Sequence, residues 1–331
     1  MAAAVWAGFG LRGTLIRLDG EVDETFRLDP AGGPPFLVKL AELAELDGAN
    51  EAVSFQAGLL RHLELTAPDL PVPRVRATAD GADYLRVPAG PLAGRIIWVT
   101  SFLPGDLLRG VRSTRQLRTQ VGRSLASLGR ALRGYDHPAA HRHIIWDIQH
   151  VAGLRPLAAT LDDPDQRRTV LREIDRFEEL TAPALSRLRG QIVHNDFSVD
   201  NVLIAPDRQS VSGMIDFGDA THTTLVNDVA VMASYQLSDD PDPTRTAIDA
   251  IAGYHMVTGL SAAEIDLLPR LITARMVTRV AVSQWRARQS PANTRYLLRH
   301  TARAWAQLNR LLVLPDQLIC HHIRQACPTG A

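Results

Sequence analysis

Cysteine is nearly absent: the 331 residues contain only Cys320 and Cys327, both within the last dozen positions. Two cysteines cannot staple a chain of this size, which excludes a disulfide scaffold and makes a reducing cytoplasm the plain expectation. No stretch approaches the roughly 18 consecutive apolar residues of a membrane helix. The opening MAAAVWAGFGLRG lacks the basic start and long apolar run of a secretory leader, so no membrane partner is expected. Net charge is missing as well, since 36 Lys and Arg balance 36 Asp and Glu. No global field therefore draws the chain to nucleic acid or anionic lipid. The arginines from Arg109 to Arg133 fall on the outer side of an amphipathic helix with no interleaved aromatics, which reads as a solvated face. CHHIRQACPTGA at the end groups Cys320, His321, His322 and Cys327, but at no standard zinc-ligand spacing. Recognition has to come from a local site.

What is present divides in two. A chain this long exceeds the size at which one core stops growing, so two lobes are expected. TLIRLDG, ETFRLD, PFLVKLA, PVPRVRATAD, DYLRV and RIIWVTSF are short β-prone runs separated by turn-rich segments such as PAGGPP. They surround one helical stretch, GANEAVSFQAGLLRHLEL, with Val53, Leu59, Leu60 and Leu63 at helical spacing. The character changes at Leu103-Pro104-Gly105-Asp106. From Ser113, read as an N-cap, Leu117, Val121, Leu125, Leu128 and Leu132 line one helix face. Further helices are predicted over 164–189, NDVAVMASYQL, 243–258, 261–288 and 291–313. The expectation is an α+β fold: a β-rich lobe with its hinge over 1–103, a helical lobe over 104–331, and a ligand cleft between them.

One segment does not fit a purely structural reading. IVHNDFSVDNVLIAPDRQSVSGMIDFGD, residues 192–219, crowds Asp196, Asp200, Asn201, Asp216 and Asp219 into a strand-turn-strand unit. Asp and Asn initiate turns, but their order here is specific: His194-x-Asp196-x4-Asn201, then Asp216-Phe217-Gly218. Those are the parts of the kinase catalytic loop and metal-binding motif, with Asn195 where Arg is usual. An amide and a carboxylate facing each other suit Mg²⁺, which takes few protein ligands and completes its shell with water and phosphate oxygens. A carboxylate left over can orient or deprotonate an attacking hydroxyl. Lys39 in FLVKLA, just before the lobe's helix, is the candidate phosphate-binding lysine, with Glu51 or Gln56 on that helix as its partner. No G-x-G-x-x-G is present; Gly20 stands alone in RLDGEVDETF.

On these residues the sequence resembles the aminoglycoside phosphotransferase-like superfamily, small-molecule kinases with a protein-kinase-like fold. Within it the likeness is greatest to hydroxylysine kinase and its bacterial relatives, through GYDHPA…WD and DFGDA…NDVA. The resemblance implies ATP or GTP between the lobes with Mg²⁺ on the phosphates. Asp196 is then the catalytic base, Asn201 and Asp216 hold metal, and Lys39 contacts phosphates. Thr100, Ser101, Phe102 and Leu103 face the nucleobase through backbone groups, and His194 braces the loop. The family often has glutamine on the helix opposite the lysine, which favours Gln56. A cationic acceptor calls for acids in the cleft, so Asp219, and Asp147 beside the aromatic face of Trp146, are the substrate candidates. Asp228 in LVNDVA reads as a cap of the following helix, and His137 as a loop residue. The expected activity is phosphoryl transfer to a hydroxylated amino acid or amine, by a monomer or homodimer. An antibiotic-inactivating aminoglycoside phosphotransferase and a nucleotide-binding pseudokinase scaffold are the alternatives.

Overall fold

The structure, a computed structural model, describes residues 1–18, 23–41 and 46–328. The segment containing Gly20 lies outside the described residues. Helix α1 (Ala2–Phe9) leads into strands β1 (Gly13–Leu18), β2 (Glu24–Pro30) and β3 (Phe36–Leu40). Helix α2 (Leu46–Thr66) precedes β4 (Val75–Arg76), β5 (Leu85–Arg86) and β6 (Ile96–Ser101). These strands form one antiparallel sheet in the order β1-β2-β3-β6-β4, with β5 also on β6.

Strand β6 reads IIWVT without polar alternation because both of its faces are covered. Ile97 and Val99 join Val38, Leu40 and Leu28 beneath Val5 and Phe9 of α1, while Ile96 and Trp98 pack toward Val53, Leu59 and Leu63 of α2. This alternation fixes Lys39. Flanked by Val38 and Leu40 on the α1 side, it points to the opposite face, its Nζ 5.8 Å from the Trp98 ring centroid.

The helical region begins with the short strand β7 (Asp106–Leu107), then α3 (Arg115–Ala131), α4 (Arg155–Ala158), α5 (Pro164–Leu180) and α6 (Ala182–Leu185). Strands β8 (Gly190–Val193), β9 (Val202–Ile204), β10 (Val211–Met214) and β11 (Thr221–Thr224) carry the acidic segment. Helices α7 (Leu225–Tyr235), α8 (Thr244–Val257), α9 (Ala262–Gln289), α10 (Thr294–Leu297), α11 (Thr301–Val313) and α12 (Asp316–Ala326) complete the chain. Helices α3 and α8 cross at backbone contact: a Cβ on Gly122 would lie 1.9 Å from the Ala250 carbonyl oxygen, and one on Gly253 2.2 Å from that of Thr119. Helix α9, the long central element, starts with a reciprocal capping box between Ser261 and Glu264. No described helix is long and apolar enough to cross a membrane.

Several elements depart from the sequence reading. Helix α1 was not anticipated; two turns without a side-chain cap carry little local signal, and burial of Val5 and Phe9 against the sheet holds them. The cap of α3 is Thr114, whose hydroxyl accepts from the Leu117 N–H, rather than Ser113. The helix expected over 164–189 stops at Thr181, two residues before Pro183, and the one over 291–313 breaks after Leu297. The acidic segment is also not a single hairpin. β9 pairs with β10 and β7, whereas β8 pairs with β11. Two ladders therefore hold the ends of two loops, 194–201 and 215–220, side by side.

Candidate active site

The first loop is anchored by groups that face inward. His194 is fully buried: its Nδ1 accepts from the Asp196 N–H at 3.3 Å, so its Nε2 carries the proton and donates to the Ile215 carbonyl at 3.0 Å. Burial pushes its pKa down despite Asp228 nearby, which keeps the ring neutral. Its ring packs on Phe197 and Phe217, joining the two loops. Asp228 in the first turn of α7 accepts from the His194 N–H at 3.2 Å and the Asn195 N–H at 2.8 Å. It holds the catalytic loop and does not cap α7, whose N-cap is Thr224. Asn195 and Asp216 both adopt left-handed backbone, φ 63° and 62°. For non-glycine residues this conformation costs energy and persists only where the surroundings enforce it. At Asn195 they do: its amide donates to the Asp219 carbonyl at 3.2 Å.

The bracing presents Asp196, Asn201 and Asp216 around one space. Asn201 Nδ2 donates to Asp196 Oδ2 at 2.6 Å and to its carbonyl at 2.9 Å. The Asn201 carbonyl accepts from the Ile215 N–H at 2.9 Å, so the second loop starts beside the first. Asp216 Oδ1 lies 3.1 Å from Lys39 Nζ, which joins the sheet to the helical region. Lys39 holds the Asp216 carboxyl below its ordinary range, so it is anionic at neutral pH. Burial raises the Asp196 carboxyl, Arg275 pulls it back, and Asp216 and Asp200 push it up again; the net shift is upward. Asp219 is pushed up to about 7, by burial first and then by Asp196 and Asp216. Burial alone would raise Asp200 too, but His300, Arg109 and Arg299 hold it at about 2. Asp200 is thus committed to tying down the loop's far side.

A hard divalent cation fits this donor set. The Asn201 nitrogen is engaged by Asp196, which directs its amide oxygen to a different partner, and the Asp216 side chain is ionised and 52% exposed. One amide oxygen and one carboxylate leave most of a Mg²⁺ shell to water and phosphate.

Other expected site residues sit differently. Gln56 is buried and donates to the Ala52 carbonyl of its own helix, Glu51 is exposed, and the partner of Lys39 is Asp216. Asp147 is only 1% exposed: it caps the short turn Ile148–Leu154, accepting from the Gln149 N–H, the Gln149 side chain and the Thr223 hydroxyl. A carboxylate so enclosed cannot meet a substrate. The Trp146 ring is faced by Arg275 at 5.5 Å and Arg286 at 5.3 Å, so its cation-binding face belongs to the protein's own guanidinium groups. Along Thr100 to Leu103, the Ser101 and Phe102 N–H groups already donate to the Arg74 and Pro35 carbonyls. Thr100 stands within the sheet as well, opposite Leu37 and Val75.

Two features had not been anticipated. Arg275 on α9, 1% exposed, donates to Asp196 Oδ1 at 2.9 Å and to the Trp146 carbonyl at 2.5 Å. Its advance sign was an arginine among apolar neighbours in LITARMV. The second is the docking of α2 by the GYDHPAAHRH segment. The Tyr135 hydroxyl donates to the Phe55 carbonyl at 2.9 Å, and His137 Nε2 meets the Ser54 hydroxyl at 3.4 Å. Arg142 stacks on Phe55 at 4.6 Å and donates to the Gly218 carbonyl at 2.6 Å. The helix behind Lys39 is thereby linked to the loop of Asp216.

The chain is similar to known proteins over most of its length. The family described as the phosphotransferase enzyme family matches residues 14–265. The chain is 26% identical over 316 residues to hydroxylysine kinase of Danio rerio, covering 90% of this chain and 88% of the relative. It is 34% identical over 226 residues to homoserine kinase of Brucella anthropi, covering 67% and 64%. Among solved structures, an amicoumacin kinase in complex with AMP-PNP and Ca²⁺ superposes with a TM-score of 0.68 at 16% identity, covering 94% of this chain and 92% of that one.

Proposed function

The chain belongs to the phosphotransferase enzyme family, and from that premise we propose that it moves the γ-phosphoryl group of ATP or GTP to the hydroxyl of a small hydroxylated amino acid or amine. The observation that carries this is the convergence of Asp196, Asn201, Asp216 and Lys39 where the sheet meets the helical region. Residues 1–103 supply the nucleotide side, with the base against Leu103, and residues 104–331 the acceptor side. Asp196 orients the acceptor hydroxyl and takes its proton as the oxygen attacks the γ-phosphorus and the diphosphate oxygen leaves. Lys39 pairs with phosphate oxygens, while Asp216 and the Asn201 amide oxygen hold the cation. A bound Mg²⁺ neutralises charge on the transferred group. Most of the acceleration comes from positioning, which the braced loop provides. Asp219 receives the ammonium group of the acceptor. Two free, buried cysteines suit a reducing cytoplasm.

The intact set of Lys39, Asp196, Asn201 and Asp216 argues against an inactive scaffold. The test is a turnover screen of purified protein with ATP and GTP against hydroxylysine, homoserine, choline, ethanolamine and aminoglycosides. Phosphorylation of a hydroxylated amino acid or amine is expected. Nucleotide binding without transfer to any acceptor would establish the scaffold instead.

A further inference from the structure

Helix α9 carries Arg275, Arg279 and Arg286, which at spacings of four and eleven residues share one helix face; the charges of Arg275 and Arg279 act on Asp196, and those of Arg275 and Arg286 on Asp219. Arg275 is matched by Asp196. Arg279 is not matched by any carboxylate. It stacks on Tyr235 at 4.1 Å and donates to the Ser234 carbonyl at 3.1 Å, and among the described residues it has no acidic side chain within ion-pair distance. Its charged neighbours make matters worse: Arg275 and Arg303 are both positive, and the one facing carboxylate, Asp196, is already bonded to Arg275. A partly buried guanidinium without a counter-ion is costly, and an anion delivered by a ligand relieves that cost.

We propose that Arg279 receives a carboxylate of the acceptor, so that the site selects hydroxy amino acids over amino alcohols and polyamines. This rests on the phosphotransferase reading of the same site and narrows it. The acceptor then spans three contacts: its hydroxyl at Asp196, its ammonium at Asp219, and its carboxylate at Arg279. Polycationic aminoglycosides meet the unmatched Arg279 guanidinium and are disfavoured by like charge.

The test compares each amino acid with its counterpart lacking the carboxylate: L-homoserine with 3-aminopropan-1-ol, and hydroxylysine with 1,5-diaminopentan-2-ol. The wild-type protein is expected to favour the amino acid of the better pair by at least about tenfold in kcat/KM. Arg279→Ala should raise KM for that amino acid by about 10- to 100-fold, the scale of a charge-assisted hydrogen bond, with kcat within a few-fold. The loss for the amino alcohol should be much smaller, and Arg279→Lys should restore part of the amino-acid affinity. Wild-type preference for the amino alcohol, or equal losses for both compounds, would overturn the carboxylate assignment and leave the kinase reading intact. Absence of transfer to either compound by wild-type protein that binds nucleotide would instead overturn the kinase reading beneath it.

Discussion

Replacing Asp219 by asparagine is expected to stabilise the ligand-free protein above neutral pH and to change little near pH 4. Asp219 lies near Asp196 and Asp216, and burial with those two charges carries its carboxyl from 3.8 to about 7. The folded state therefore holds this proton more tightly than the unfolded chain. Stability from this group is complete below about pH 4 and is lost as pH rises through 7. At about 1.4 kcal/mol per pH unit the full displacement corresponds to roughly 4 kcal/mol, and halving it for solvent screening leaves on the order of 2 kcal/mol. A chain of this length unfolds with an entropy of roughly 0.7 kcal/mol per kelvin, so the melting temperature should shift by about 3 °C. Thermal scans of wild type and Asp219→Asn from pH 4.5 to 8.5 measure it. The difference should grow from near zero to about 3 °C in favour of the variant. Added Mg²⁺ and a non-hydrolysable nucleotide should shrink it, because positive charge at Asp216 offsets the repulsion. A difference that stays flat with pH, or favours the wild type at pH 8, would refute the reasoning.

Two further outcomes follow from the same geometry. Asp228→Ala strands two buried N–H groups, those of His194 and Asn195, and should lower unfolding free energy by about 2–5 kcal/mol in urea titrations; an unmoved midpoint would remove Asp228 as the anchor of the loop. Asp216→Ala should weaken Mg²⁺-dependent nucleotide binding by at least about tenfold in calorimetry, and unchanged affinity would dismiss it as a metal ligand.

What could be read in advance was local in sequence. His194, Asp196 and Asn201 lie within eight residues, and Asp216 follows at hairpin distance, so spacing alone grouped them. Lys39 was legible because it closes a β-prone run just before the helix of the first region. What escaped depends on distant chain segments. Arg275 is 79 residues from Asp196 and meets it only because α9 passes beneath the catalytic loop. Asp228 looked like a cap because acids favour first turns, yet the pairing of β8 with β11 brings the catalytic loop onto it. Asp147 looked like a ligand beside an aromatic ring until the Thr223 hydroxyl and Gln149 enclosed it. Gln56 turns back to its own helix, and the carboxylate of Asp216 is the partner Lys39 meets.

The central claim is that the Asp196 carboxylate faces the acceptor while the nucleotide is held by other groups. Single-turnover transfer of a γ-labelled phosphoryl group by wild type and Asp196→Asn, with nucleotide affinity measured on the same preparations, tests it most directly. Asparagine keeps an oxygen for Arg275, so the fold around the buried guanidinium is retained. Transfer should fall by at least about 100-fold with nucleotide affinity changed no more than a few-fold. Transfer at the wild-type rate would contradict the account.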